Sequence, residues 1–256
     1  DSIGEPLIVP GRPIYWVDST FDRTDAYRSE ERPETSKSRI NRREIELIEH
    51  LLGEIDAQIG MKKSEISPAD WNKDPMLLHL QNDEKLPVGV ISFYLAQKNE
   101  LRKMVERNAP ENQRQRWLNL DVRVDTVDRF QGGERPVILC SMVQSPIIPS
   151  EQASKLKRLL EKNSDPKSFI TTGQGKKGKW KPQRVRGSFI RKPNRLNVAF
   201  SRAQNLLIIL GNQHSFEQAI VEIETDSGEI KKSRYFADLL QRCIGKGGVI
   251  DGRKFL

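Results

Sequence analysis

Val124-Asp125-Thr126-Val127-Asp128-Arg129-Phe130-Gln131-Gly132-Gly133-Glu134 is a polar, glycine-containing stretch that opens directly onto an apolar run, residues 136–143. A second run of that kind, residues 206–211, follows Asn194-Arg195-Leu196-Asn197-Val198-Ala199-Phe200-Ser201-Arg202-Ala203, where Leu196, Ala199, Phe200 and Ala203 recur at helical spacing. A polar turn entering a buried strand, then an arginine-bearing helix entering another, is an α/β arrangement that presents charged groups at the rim of a sheet.

Reading outward, Ile14-Tyr15-Trp16-Val17-Asp18 is a strand and the charge-dense residues 19–38 a loop. Asn41 stands three residues before Glu44, as an N-cap and its capping-box partner do. Ile45, Ile48, Leu52, Ile55 and Ile59 then mark an amphipathic helix. Residues 60–87, with three prolines and little periodicity, read as an irregular insertion. Residues 88–93 are apolar throughout, as in a parallel strand covered on both faces, and 94–107 continue as a helix with Leu101, Met104 and Val105 inward. Further strands fall at 120–126 and 136–143, a short basic helix at about 150–162, and closing helices near 215–224 and 233–243. There is no internal repeat. The alternation predicts a single three-layer αβα domain over residues 1–256 with a mostly parallel sheet.

With 36% hydrophobic and 30% charged residues, the chain is expected to be globular and soluble. No run approaches the roughly 18 apolar residues of a membrane span, and the N-terminus lacks a signal-peptide pattern. The missing initiator Met suggests a processed chain or an excised fragment. Cys140 and Cys243 form no metal-spaced pair, and Cys140 falls in a core strand, which fits a reducing, intracellular setting without disulfides, cytoplasmic or nucleoid-associated. His50, His79 and His214 are too scattered for a metal site. No Asp and Glu-x-Lys constellation places Mg²⁺ as a nuclease needs.

Arg195 and Arg202 lie seven residues apart, hence on one helix face about 10 Å apart along the axis. Arginine suits a planar, permanently charged contact to phosphate oxygens. Taken alone, the same pattern also describes a surface helix with two solvated arginines. Gln131-Gly132-Gly133-Glu134 offers amide, backbone and carboxylate at a sheet rim, or a plain Gly-Gly turn with a solvated Glu134. Arg42 and Arg43, in the first turn of the Asn41 helix, form a third anion site or stand idle.

These pieces occur in one order. Ser38-Arg39-Ile40-Asn41-Arg42-Arg43-Glu44, Ile91-Ser92-Phe93-Tyr94-Leu95-Ala96-Gln97, Thr126 through Glu134, and Asn194 through Ala203 together resemble the second RecA-like domain of superfamily 1 helicases. The similar branch is that of the nonsense-mediated mRNA decay helicase and its DNA-processing relatives, and the likeness spans about residues 14–212. It implies an arginine finger at Arg202 and a second γ-phosphate contact at Arg42. It also implies a ribose-facing Glu134, with Gln131 and Gly132 linking nucleotide state to strand contacts, and Arg195 near the nucleotide. Thr126 and Ser92 would lie by the nucleic-acid backbone. Asn194, Ser201, Gln204 and Ser92-Phe93 depart from the family pattern and leave room for a degenerate motor. The chain has no Gly-x-x-x-x-Gly-Lys-Ser/Thr and no Asp-Glu pair ending an apolar strand. The resemblance assigns those groups, with ATP and most contacts to Mg²⁺, to an upstream RecA-like domain of the same polypeptide. The isolated chain is therefore expected to be a monomer that binds ATP weakly and does not hydrolyse it. Family membership implies 5′-to-3′ movement on single-stranded DNA or RNA, and the competing expectation is a nucleic-acid-binding module without ATP coupling.

The net charge of +8 is uneven. Residues 150–192 carry 13 Lys/Arg against 3 Asp/Glu, a balance of +10 that leaves −2 for the remainder. Within this insertion Lys176, Lys177, Lys179 and Trp180 combine charge with one aromatic, able to track a phosphate backbone and stack a base, or to form a solvated loop. Deleting residues 166–187 is expected to weaken single-strand binding and flatten its salt dependence. Affinity unchanged across a salt series would identify the solvated loop.

Overall fold

The computed structural model describes residues 11–34, 38–74, 77–78, 80, 85–111, 113–130, 133–145, 151, 153–154, 157–158, 193–217, 219, 221–224, 228–245 and 248–255. Six strands form the central sheet: β1 (Ile14–Asp18), β2 (Leu86–Ser92), β3 (Leu120–Thr126), β4 (Arg135–Ser141), β5 (Ala203–Gly211) and β8 (Val249–Asp251). Their order is β3-β2-β4-β5-β1-β8, and every pairing is parallel.

Period-two alternation along these strands builds two cores, one on each face. Tyr15, Val17, Val88, Val90, Leu139, Ile208 and Leu210 face α1 (Arg42–Glu65) and α2 (Leu95–Glu106). Trp16, Ile91, Ile138, Cys140, Leu207 and Ile209 face the opposite layer, where α3 (Pro193–Phe200), α4 (Gln213–Glu217) and α5 (Tyr235–Gly245) contribute Leu196, Ala199, Phe216, Phe236, Leu240 and Cys243. The expected three-layer domain is present, with an all-parallel central sheet.

Some elements differ from the sequence expectation. α1 runs through Gly60 to Glu65, because the buried face ending at Ile59 is followed by residues that tolerate helix. It stops at Ile66-Ser67-Pro68, where the proline disfavours helix in the residue before it. The segment expected to be irregular thus starts six residues later, at Ile66, and contains a 3₁₀ turn, Pro68–Lys73. The helix expected at 215–224 is only α4. Its second half, Val-Glu-Ile-Glu, alternates at period two and forms β6 (Val221–Glu224), which pairs antiparallel with β7 (Ile230–Ser233). Gly228, at φ +79°, sits in the intervening turn. β8 went unanticipated because three residues carry too little pattern.

The connection from β3 to β4 crosses the sheet without a helix. After one turn, in which Arg129 and Phe130 N–H both bond the Thr126 carbonyl, the chain lays the fully buried Phe130 ring on Gly89 of β2. Arg123 covers the ring, its guanidinium 5.0 Å from the centroid. Only hydrogen fits at Gly89: a Cβ there would come within 2.5 Å of Ile138 Cδ1 and 2.6 Å of Phe130 Cζ. Gly89→Ala is expected to destabilise the fold by about 1–3 kcal/mol through overpacking, read as a lowered denaturation midpoint in urea.

Candidate functional site

At the carboxyl edge of the sheet, α1 and α2 begin beside the ends of β2 and β4. Asn41 caps α1, its side chain accepting from Glu44 N–H at 3.2 Å. The reciprocal half of the expected capping box is absent. Gln97 Oε1 takes the Asn41 N–H (2.9 Å), and Gln97 Nε2 donates to the Asn41 carbonyl and to Ser141 Oγ. Glu44 is thereby free to turn toward β4, where Ser141 Oγ donates to Oε2 at 2.6 Å and Val143 N–H reaches both oxygens at 2.9 and 3.0 Å. Asn41 Nδ2 donates to the Val143 carbonyl. Val143 itself sits at φ +66°, in the left-handed region that a β-branched residue rarely enters. Ser38 Oγ accepts from Ala96 N–H at the start of α2. Asn41, Glu44 and Gln97, from two separate sequence motifs, thus form one buried cluster, with the half-buried Ser38 at its margin on α2. Of these, the spacing revealed only the Asn41 cap and the Asn41–Glu44 relation.

Ser92 is fully buried beside this cluster, its Oγ accepting from Tyr94 N–H. Thr126 is half-buried, level with Ser92 in the β2–β3 register. Arg42 projects outward and pairs with Glu31 (Nε to Oε2, 2.9 Å). Its neighbour Arg43 is buried and donates to the Gly252 carbonyl.

The other arginines lie elsewhere. Arg202 immediately precedes β5, and its carbonyl accepts from Arg135 N–H at the start of β4. Its Nε bonds the Val198 carbonyl at 3.1 Å, and among the described residues no carboxylate pairs with its guanidinium. Glu134, exposed, precedes Arg135 on the same amino edge. Arg195, in α3, pairs with Asp128 of the β3–β4 connection (3.2 Å). The two sequence segments therefore do meet, through Asp128 with Arg195 and through Arg135 with Arg202. Arg42 does not join them. It sits at the carboxyl edge, with the length of β4, roughly 20 Å, in between. Gln131, Gly132, Lys176, Lys177, Lys179 and Trp180 lie outside the described residues. Among the described residues no group of three His, Cys, Asp or Glu side chains is placed to hold a metal ion.

A family model described as an AAA domain, AAA_12, matches residues 5–214. The chain belongs to the AAA_12 family. That span holds both edges, and the parallel sheet with helices on its two faces is the RecA-like form of an AAA_12 domain. The chain is also 28% identical over 134 residues to a protein of Methanocaldococcus jannaschii named as an uncharacterised ATP-dependent helicase. That alignment covers 52% of this chain and 13% of the archaeal protein, so the AAA_12 chain corresponds to a small part of that protein's length.

Burial pushes the Glu44 carboxyl up to about 8, against the opposing pull of the Ser141 and Val143 hydrogen bonds. In the unfolded chain the group ionises near its ordinary value of 4.5. Between those values the native state binds the extra proton, so this group's contribution falls as pH rises from about 4.5 to about 8. Glu44→Gln is expected to remove that slope. The check is urea unfolding across this range, where parallel curves for both proteins would contradict the assignment.

Proposed function

We propose that this AAA_12 chain is the carboxy-terminal motor domain of an ATP-dependent helicase or translocase acting on single-stranded nucleic acid. In this reading Arg202 is presented to ATP held by the phosphate loop of a preceding RecA-like domain. The observation that carries the reading is the state of Arg202. Its Nε is anchored to a helix carbonyl at the sheet rim, and no carboxylate among the described residues neutralises it. Arg195 and Arg42 are each ion-paired already. A held but uncompensated guanidinium suits charge that develops only in a transition state. As the two domains close, Arg202 stabilises the γ-phosphoryl charge, and Glu134 on the same rim meets the ribose. Arg42, at the other edge and paired with Glu31, stays outside the contact that Arg202 makes in this reading. The described residues do not fit Mg²⁺, so the ion is assigned to the partner domain. The name of the archaeal relative, an ATP-dependent helicase, supports the same reading.

The absent phosphate loop and the departures at Asn194 and Ser201 favour a second reading, a strand-binding module without ATP coupling. Arg202→Ala decides between them in the full-length protein. Strand-stimulated ATP turnover is expected to fall by about 10³-fold or more with thermal stability unchanged. The 256-residue chain alone is expected to show none. Unaltered turnover in the variant would remove the arginine finger from Arg202.

A further inference from the structure

β5 and β1 lie side by side, and the chain leaves them in opposite directions. From β1 it continues through α1 on one face toward β2, and from β5 through α4 and α5 on the other face toward β8. Neighbouring strands that part in this way open a crevice beyond their carboxyl ends, where open α/β sheets place ligands. Here a cleft of about 370 Å³ borders Asp18 at the end of β1, Gln213 and His214 after β5, Asp251 at the end of β8, Phe21 and Lys254. That volume is in the range of small-molecule sites.

The cleft contains polar groups that the fold leaves open. Asp18 Oδ1 accepts from Thr20 N–H (3.1 Å), Thr20 Oγ1 (2.5 Å) and Gln213 N–H (2.9 Å), while Oδ2 accepts nothing from the described residues. His214 is 6% exposed, and neither Nδ1 nor Nε2 has a partner among the described residues, an uncommon state for a buried imidazole. Burial pulls its pKa down to about 4, so at neutral pH the ring is uncharged, with one donor and one acceptor nitrogen. Lys254 is exposed beside these groups, with no ion-pair partner among the described residues. Arg253 is already engaged by Asp251 and Asp25, and Lys157 by Asp25.

A carboxylate oxygen accepts only, and a neutral imidazole offers both polarities. Hydroxyl groups answer both, because each can donate and accept. The lysine calls for an anionic end on the same molecule, and Phe21 supplies an apolar wall. We propose that this cleft binds a small sugar phosphate, free or as part of a ribonucleotide, with its hydroxyls on Asp18 and His214 and its phosphate at Lys254. The site shares no residue with the Arg202–Glu134 rim, so it stands or falls independently of the motor reading.

The test is calorimetric titration of the 256-residue chain with ribose 5-phosphate, AMP, ribose and inorganic phosphate, with the His214 ring signals followed by NMR. Ribose 5-phosphate or AMP should bind saturably, about tenfold or more tighter than ribose or phosphate, and should shift those signals. AMP binding tighter than ribose 5-phosphate would identify the nucleotide as the ligand, and equal affinity the free sugar phosphate. Lys254→Glu and His214→Gln should each weaken binding about tenfold with circular dichroism unchanged, whereas Arg202→Ala should leave it intact. The site is overturned if no ligand saturates, if phosphate alone binds as tightly, if both cleft variants keep full affinity, or if Arg202→Ala abolishes binding.

Discussion

The carboxyl group of Glu44 is the constraint on which the carboxyl edge depends. It lies in the first turn of α1 and reaches across to the backbone and hydroxyl at the end of β4, joining a helix of one layer to a strand of the sheet. Val143 would not hold its left-handed backbone unaided, since such conformations cost on the order of 1–3 kcal/mol. Its N–H is held by Glu44 and its carbonyl by Asn41, so a single helix start fixes both sides of the strained residue. Gln97 extends the same hold to α2, and the ends of two helices and a strand become one body. Arg42 emerges from that body between two immobilised residues, with its backbone fixed and its side chain exposed.

The amino edge is built differently. There Arg202 and Glu134 sit on strand starts and a helix end, stitched by one main-chain bond. Fewer buried contacts hold these side chains than hold Glu44 and Asn41 at the other edge. The two edges communicate through the β3–β4 connection, whose first residues leave beside Ser92 and whose last arrive beside Arg202.

Much of this was legible in the chain. The apolar runs predicted β2, β4 and β5 because buried parallel strands carry continuous hydrophobic signal, whereas the edge strand β3 alternates, and α1 announced itself through Asn41 and its isoleucines. Boundaries slipped where local chemistry is permissive, as at Gly60 within α1. Type failed at 221–224, where a short alternating run was absorbed into a neighbouring helical pattern. For the site, the sequence order pointed to the arginines but not to their placement at opposite edges, since the edge a residue occupies follows from strand direction and register. The cluster of Ser38, Glu44, Gln97 and Ser141 was equally hidden, because its partners are 44 to 97 positions apart. His214 carried no spacing signal at all. Its interest comes from burial without a partner among the described residues.

The β3–β4 connection also sets where this domain can change length. Its first turn hangs on the Thr126 carbonyl, which takes the N–H of Arg129 and of Phe130, and a second hangs on the Phe130 carbonyl, which takes the N–H of Gly133 at 3.2 Å. Between the two the Phe130 ring is seated on Gly89, and just past them the Arg135 N–H is held by the Arg202 carbonyl. A deletion there pulls Phe130 off Gly89 or tears the first pair of β4, and an insertion displaces the arm that carries Glu134. Variation in length among similar chains is therefore expected to spare residues 127–134, which work as a ruler between the two edges.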